Sequence, residues 1–113
     1  MIEALLNMLP PMRADLAATL IGVNGFTGRG EVEFIARRNG VRSLEVELHG
    51  VAGREALVYA DDQPTAQLRF DNGRASQIFA TNKGDNIPRL YYGANIEIRQ
   101  NGEAILKGVL KRA

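Results

Sequence analysis

The sequence contains no cysteine and a single histidine, His49. The absence of cysteine excludes disulfide scaffolds, thiolate zinc sites and cysteine nucleophiles. A transition-metal site would need ligands that the chain does not supply, so we expect no metal and no cofactor. His49 continues the outward positions of Glu45 and Glu47 on a predicted strand. We interpret it as a solvated residue at the strand end, and the alternative is a ligand or pH-sensing group beside Glu47.

The sequence also lacks an excess of charge of either sign. Its 14 basic and 13 acidic residues give a formal net charge of +1. Domains that bind nucleic acid are usually clearly basic, so we expect no nucleic-acid partner.

Long apolar runs are missing as well. No stretch approaches the roughly 20 apolar residues of a membrane-spanning helix, so no transmembrane segment is predicted. The first charged residue is Glu3, and Pro10, Pro11 and Arg13 interrupt the apolar N-terminal stretch. This is not the pattern of a secretory signal peptide, and we expect a cytoplasmic protein.

Catalytic motifs are absent too. Ser43 and Ser76 lie in predicted strands without a nucleophile-elbow setting, and the glycines of Gly28-Arg29-Gly30 lack the strand–turn–helix context of a phosphate loop. Asp61-Asp62 lacks the spaced oxygen ligands of a calcium loop and indicates a turn. We therefore expect that the protein is not an enzyme.

The N-terminal residues show a helical spacing. Met12, Leu16 and Leu20 recur every four residues, and Pro11 suits the first turn of a helix. We predict a helix at about 11–20, with 2–9 forming a separate short helix or turn. The glycines of NGFTGRG predict a flexible connector. The chain then divides into an N-terminal helical arm at 1–23, a Gly-rich connector at 24–30 and a β-sandwich domain at 31–113.

From Glu31 onward the apolar pattern has a period of two. In LEVEL, residues 44–48, three apolar side chains alternate with two glutamates, as expected for an antiparallel sheet with one solvated face. The predicted fold is all-β: a seven-stranded antiparallel β-sandwich or partly open barrel with a short N-terminal α-helical segment. The seven predicted strands lie at about 31–37, 42–50, 55–60, 65–70, 74–80, 94–99 and 103–110.

Three Asn-Gly sequences mark the predicted hairpins: RNG at 38–40, DNG at 71–73 and QNG at 100–102. A three-residue loop in the first hairpin would place Phe34 opposite Leu44, whereas a two-residue turn would place it opposite Glu45. The same loop in the third hairpin would place Ile98 opposite Ala104 and Ile96 opposite Leu106. For the second hairpin we favour a two-residue turn. The turn residues Gly40, Gly73 and Gly102 are expected to have positive φ.

Two functions remain open. The first is a non-catalytic protein-interaction or assembly module that self-associates, most simply as a two-fold homodimer, or binds another protein through its apolar arm. Its predicted interface consists of Leu5, Leu6, Leu9, Met12, Leu16 and Leu20. The second is a β-sandwich that binds a small ligand or carbohydrate through the 81–93 loop. The predicted rim of that site consists of Lys83, Asp85, Arg89, Tyr91 and Tyr92.

Overall fold

The computed structural model describes residues 12–113, with side chains described from Ala14 onward. Among these residues the secondary structure is almost entirely β. No helix in this part of the chain is long and apolar enough to cross a membrane. The strands are β1 (Met12–Gly22), β2 (Arg29–Arg37), β3 (Arg42–His49), β4 (Glu55–Ala60), β5 (Gln63–Arg69), β6 (Ala75–Ala80), β7 (Asn95–Gln100), β8 (Glu103–Val109) and β9 (Lys111–Arg112), with a short 3₁₀ turn at Thr81–Lys83.

All strands join one antiparallel sheet in the order β5-β4-β7-β8-β1-β2-β3-β6, and β9 pairs with β1 beside β8. Strands β5 and β6 are connected by a tight turn, yet they occupy the two ends of this order. The sheet therefore curls into a nearly closed barrel. We call the gap between the unpaired edges of β5 and β6 the seam.

The barrel interior follows from alternation along the strands. On β3, Leu44, Val46 and Leu48 are fully buried, while Glu45 and Glu47 are exposed. Because successive side chains of a strand point to opposite faces, each strand contributes every second residue to one core. Phe34 and Leu20 are among the largest fully buried side chains of this core.

The predicted helix at about 11–20 is wrong, because residues 12–20 belong to β1. They pair with β2 along nearly the whole strand, and Leu16, Ala18 and Leu20 are buried while Thr19 and Ile21 are exposed. A spacing of four residues is compatible with one face of a helix and also with one face of a strand. The small alanines at the intervening inward positions hid the period of two.

The prediction of seven strands is also wrong, since it omits β1 and β9. The seven predicted segments overlap β2 to β8, and of the two predicted architectures the partly open barrel is the one observed. Residues 24–28 of the Gly-rich segment lie in the connection between β1 and β2, and the last two residues of the segment belong to β2. Within that connection the Phe26 N–H donates to the Val23 carbonyl at 3.0 Å, and β2 begins at Arg29.

The first hairpin has the predicted register. Phe34 faces Leu44, and the Arg37 N–H donates to the Val41 carbonyl at 2.9 Å across the three-residue loop. In the second hairpin Asp71 pairs with Arg74, as expected for a two-residue turn, but the strands separate beyond it.

The predicted register of the third hairpin is wrong. Gln100 pairs with Glu103, so only two residues form the loop, and an irregularity between Ile98 and Arg99 shifts the strand pairing. Ile98 therefore faces Leu106, not Ala104, and Ile96 faces Gly108. The observed pairing differs from the predicted one by two positions at Ile96 and Ile98, which leaves these side chains on the predicted face. Nearer the loop, at Arg99, it differs by one position, and Ile105 is buried beside Leu106.

Gly40, Gly73 and Gly102 have φ values of 89°, 79° and 80°, as predicted. A Cβ added at Gly40 or Gly102 would meet no atom within 4 Å, so backbone conformation alone opposes a side chain there.

We expect Gly40→Ala and Gly102→Ala each to lower the free energy of unfolding by about 1 kcal/mol, because a Cβ is disfavoured at positive φ. Chemical denaturation measures this loss. Gly108→Ala provides the contrast: its Cβ would overlap the Thr19 carbonyl oxygen of the neighbouring strand, so it should cost more. Unchanged stability in both turn variants would contradict the conformational explanation.

Candidate functional site

The loop between β6 and β7 crosses one end of the barrel and closes it. Ile87 and Leu90 are buried against the core, at 1% and 5% exposure. The Arg42 side chain fixes this loop, since its Nε donates to the Ile87 carbonyl at 2.8 Å. The Arg42 N–H also donates to Thr81 Oγ1 at 3.0 Å. The rest of the loop is thereby held in a defined position.

Two tyrosines at the end of this loop project into solvent. Tyr91 and Tyr92 are 66% and 67% exposed, although the backbone around them is fixed by hydrogen bonds. The Gly93 N–H donates to the Leu110 carbonyl at 2.7 Å, and the Ala94 N–H donates to the Tyr91 carbonyl at 3.0 Å. The Arg89 guanidinium lies 5.5 Å from the centre of the Tyr91 ring. Large aromatic surfaces presented by a fixed backbone are typical of binding sites.

Tyr92 borders an open cleft of about 510 Å³ whose other lining residues are Leu16, Lys111 and Arg112. We call this site the cleft. A second depression, of about 520 Å³, continues from it past Arg89, Tyr91 and Asp15. The cleft has an aromatic wall, an apolar floor and a cationic rim. It could hold a ligand that combines an apolar face with hydrogen-bonding or anionic groups.

Three of the five predicted rim residues lie together here: Arg89, Tyr91 and Tyr92. The other two lie at the beginning of the loop. Lys83 Nζ donates to the Ile78 carbonyl at 3.0 Å, and Asp85 Oδ2 accepts from the Ala80 N–H at 2.8 Å. Both side chains hold the loop against β6.

Sequence reasoning missed Lys111 and Arg112. Their place in the cleft depends on the pairing of β9 with Leu16 and Ala17, which are almost 100 residues earlier in the chain. The sequence offers only a weak local signal, a basic pair after the last apolar strand.

The predicted interface residues have different positions. Leu16 and Leu20 pack into the core of their own barrel, at 6% and 0% exposure, so neither presents a free apolar side chain to a second chain. Leu5, Leu6 and Leu9 lie outside the described residues, as does the side chain of Met12. The interface through the N-terminal segment stays a prediction.

The seam is bridged at one point by a side chain. The Arg69 N–H, which faces away from β4, donates to Gln77 Oε1 at 2.7 Å. Beyond this bridge, Ile78 is 55% exposed on β6. An exposed apolar residue on an unpaired strand edge is a recognised feature of strand-docking sites.

The outer face of β1, β2 and β3 carries opposed carboxylates. Glu31 faces Glu47 and Glu33 faces Glu45 across the β2–β3 pair. The pKa of Glu33 is raised, chiefly by a hydrogen bond with the Asp15 carboxyl, then by burial and by repulsion from the neighbouring carboxylates. Asp15 Oδ1 is buried and has no hydrogen-bond partner among the described residues.

The outer face of β4, β7 and β8 has the opposite arrangement. Arg99 donates to Glu97 Oε1 at 2.7 Å and to Asp62 Oδ1 at 2.6 Å, and its guanidinium lies 3.9 Å from the centre of the Tyr59 ring. Lys107 Nζ lies 3.2 Å from Glu97 Oε2. Burial raises the pKa of Glu97, but the hydrogen bonds and charges of Arg99 and Lys107 outweigh it, so the pKa is lowered.

His49 lies at the end of β3, where its Nε2 is 3.0 Å from Glu47 Oε1. Among residues 12–113 there is no group of three His, Asp or Glu side chains arranged to hold a metal ion.

We expect Glu33→Gln to stabilise the protein at pH 7 by about 0.5 kcal/mol, since it removes like-charge repulsion across the strands. Glu33 binds its proton more tightly when folded. The stabilisation that this proton binding contributes is therefore fully present below the pKa that Glu33 has in the unfolded chain. It is lost as pH rises through the higher pKa that Glu33 has in the folded protein. The advantage of the variant should disappear near pH 4.

Glu97→Gln is the matched control with the opposite sign. The pKa of Glu97 is lowered on folding, so its contribution is present at neutral pH and lost as pH falls through the folded value. The variant should lose about 1–2 kcal/mol at pH 7 and converge with the parent in acid. Thermal unfolding measured from pH 3 to pH 8 compares the two; parallel pH profiles would contradict the proposed charge environments.

No protein-family model and no curated protein matches the chain. No residue role can therefore be transferred from a relative. The cleft, the seam and the N-terminal segment are the features of the molecule that indicate a function.

Proposed function

We propose that the protein is a non-catalytic assembly module that associates with copies of itself through its N-terminal segment, residues 2–9. The segment has the sequence IEALLNML, in which Glu3 is the only charged residue. This proposal keeps the predicted interface at Leu5, Leu6 and Leu9, and it leaves out Leu16 and Leu20, which the barrel core uses.

The observation that supports it is the apolar sequence of residues 2–9, of which six of eight are apolar. Among the described residues, the buried hydrophobic cluster runs from Leu16 to Leu110, and its members pack against one another. Burying one large apolar side chain is worth roughly 1.5–3 kcal/mol, so residues 2–9 have a strong tendency to find a partner surface. A second copy of the chain is the simplest source of that surface.

We expect the full chain to be oligomeric and the variant Leu6→Asp/Met8→Asp to dissociate, because charged residues would have to be buried in the interface. Light scattering over a concentration series gives the molar mass of each. The control is Ile21→Asp, which places a charge on an apolar residue of the barrel wall that is 63% exposed. Dissociation of the control instead would place the interface on the wall.

A second candidate function is supported by the cleft. Its volume, about 510 Å³, lies in the range typical of small-ligand sites. Exposed tyrosines beside a cationic rim suit a carbohydrate, whose apolar ring face stacks on an aromatic ring while its hydroxyls bond to arginine or lysine.

For this second function we expect a neutral oligosaccharide such as maltose to shift the NMR signals of residues around Tyr92, with weak affinity. Tyr92→Ala should abolish the shifts because it removes the stacking surface. Ile78→Ala, an exposed residue away from the cleft, should leave them unchanged. Shifts that persist in Tyr92→Ala would exclude the cleft as the binding site.

A further inference from the structure

The two strands that border the seam direct unpaired backbone groups into it. In an antiparallel pair, alternate residues bond to one neighbour or to the other. The Phe70 N–H bonds to the Arg54 carbonyl, so the intervening residues Arg69 and Gln67 face the seam. On β6 the Ile78 carbonyl faces away from β3, since Lys83 Nζ reaches it. Beyond the bridge between Arg69 and Gln77 the two edges differ. On β6 the loop that follows already bonds to the Ile78 carbonyl through Lys83, and to the Ala80 N–H and carbonyl through Asp85. The edge of β5 around Gln67 is the one open to a further strand.

The core is also incompletely covered at the seam. The inward-facing residues of β2, β3 and β7 are buried. Beside the seam the inward-facing Leu68 and Ala75 are buried as well, but three other inward-facing residues that pack against the same core are only half-buried: Ala66, Phe70 and Phe79. This difference is what the loss of one strand from a closed barrel would produce. A strand placed in the seam would pair with the edge of β5 and cover these side chains.

We propose that residues 2–9 of a second copy occupy the seam as an added β-strand. The inference rests on the proposed self-association and names the surface that accepts the segment. Binding of this kind draws its affinity from main-chain hydrogen bonds and its specificity from alternate side chains.

The segment has the length and pattern that the seam requires. Eight extended residues span about 26 Å, compared with about 23 Å for the seven residues of β5. Its even-numbered positions are all apolar: Ile2, Ala4, Leu6 and Met8. The odd-numbered positions include Glu3 and Asn7. Pro10 and Pro11 follow immediately and would end the pairing. Ile2 and Leu6 are four residues apart, a spacing that places them on one face of a strand as well as on one face of a helix.

The position of β1 favours a second copy over the same chain. In the sheet order, β1 is separated from β6 by β2 and β3, and from β5 by β8, β7 and β4. Met12 therefore lies on the wall opposite the seam. A path within one chain would cross the end of the barrel, where Ile87 and Leu90 of the β6–β7 loop are already packed. A second copy meets no such obstacle.

Disulfide trapping between two singly substituted chains tests the inference, because the native sequence contains no cysteine. One chain carries Leu5→Cys and the other Ile78→Cys, both at positions expected on the outer face of the added strand and of β6. The chains are unfolded, mixed, refolded and oxidised. Non-reducing gels and mass spectrometry should show a mixed dimer as the main covalent product. Ile21→Cys, on the opposite wall, replaces Ile78→Cys in the control and should give little mixed dimer.

The outcomes separate the two proposals. A parent chain that is oligomeric by light scattering, combined with Leu5→Cys coupling no better to Ile78→Cys than to Ile21→Cys, would overturn the seam and leave self-association standing. A disulfide that forms only when both substitutions are in one chain, and never in the mixture, would show that the segment binds its own barrel. A monomeric parent chain would overturn both proposals.

Discussion

Strand β1 joins the two halves of the barrel. On one side it pairs with β2, which leads to β3 and β6; on the other it pairs with β8 and β9, which lead to β7, β4 and β5. The approach to β8 is close, and Gly108 permits it because a Cβ there would overlap the Thr19 carbonyl oxygen. Leu20, fully buried on β1, fills the core where the two halves meet. The cleft depends on the same strand, since Leu16 forms part of its lining and its partner Arg112 forms part of the rim.

The charge balance of the whole chain conceals a segregated surface. The net charge of +1 includes opposed glutamates on β2 and β3 and cations around the cleft. Opposed carboxylates such as Glu33 and Glu45 reduce stability, whereas the Arg99 network on the other side of the barrel increases it. Composition gives only the sum of these charges. Their arrangement follows from the order of the strands in the sheet.

The predictable part of the fold is the part governed by local patterns. Alternation assigned the correct faces to Leu44, Val46 and Leu48, and the requirement for positive φ identified Gly40 and Gly102. The predictions failed where contacts between residues far apart in the sequence determine the structure. The spacing of Leu16 and Leu20 suits a helix or a strand, and pairing with β2 selects the strand. Likewise, Tyr91 and Tyr92 could be selected from the loop sequence, but the cations that face them at the cleft come from β9.

The seam shows how an open edge can remain selective. Unpaired edges invite aggregation, and here Pro64 lies in β5, Gln77 bridges to Arg69, and Lys83 covers the Ile78 carbonyl. A strand that enters the seam must displace Lys83 Nζ from the Ile78 carbonyl and donate a hydrogen bond there itself. Binding therefore exchanges one hydrogen bond for another, and each exchange contributes little net free energy. The gain must then come from covering Phe70 and Phe79 and from the exposed Ile78. That requirement favours a segment with apolar residues at alternate positions over an arbitrary extended peptide, and residues 2–9 of the same sequence meet it.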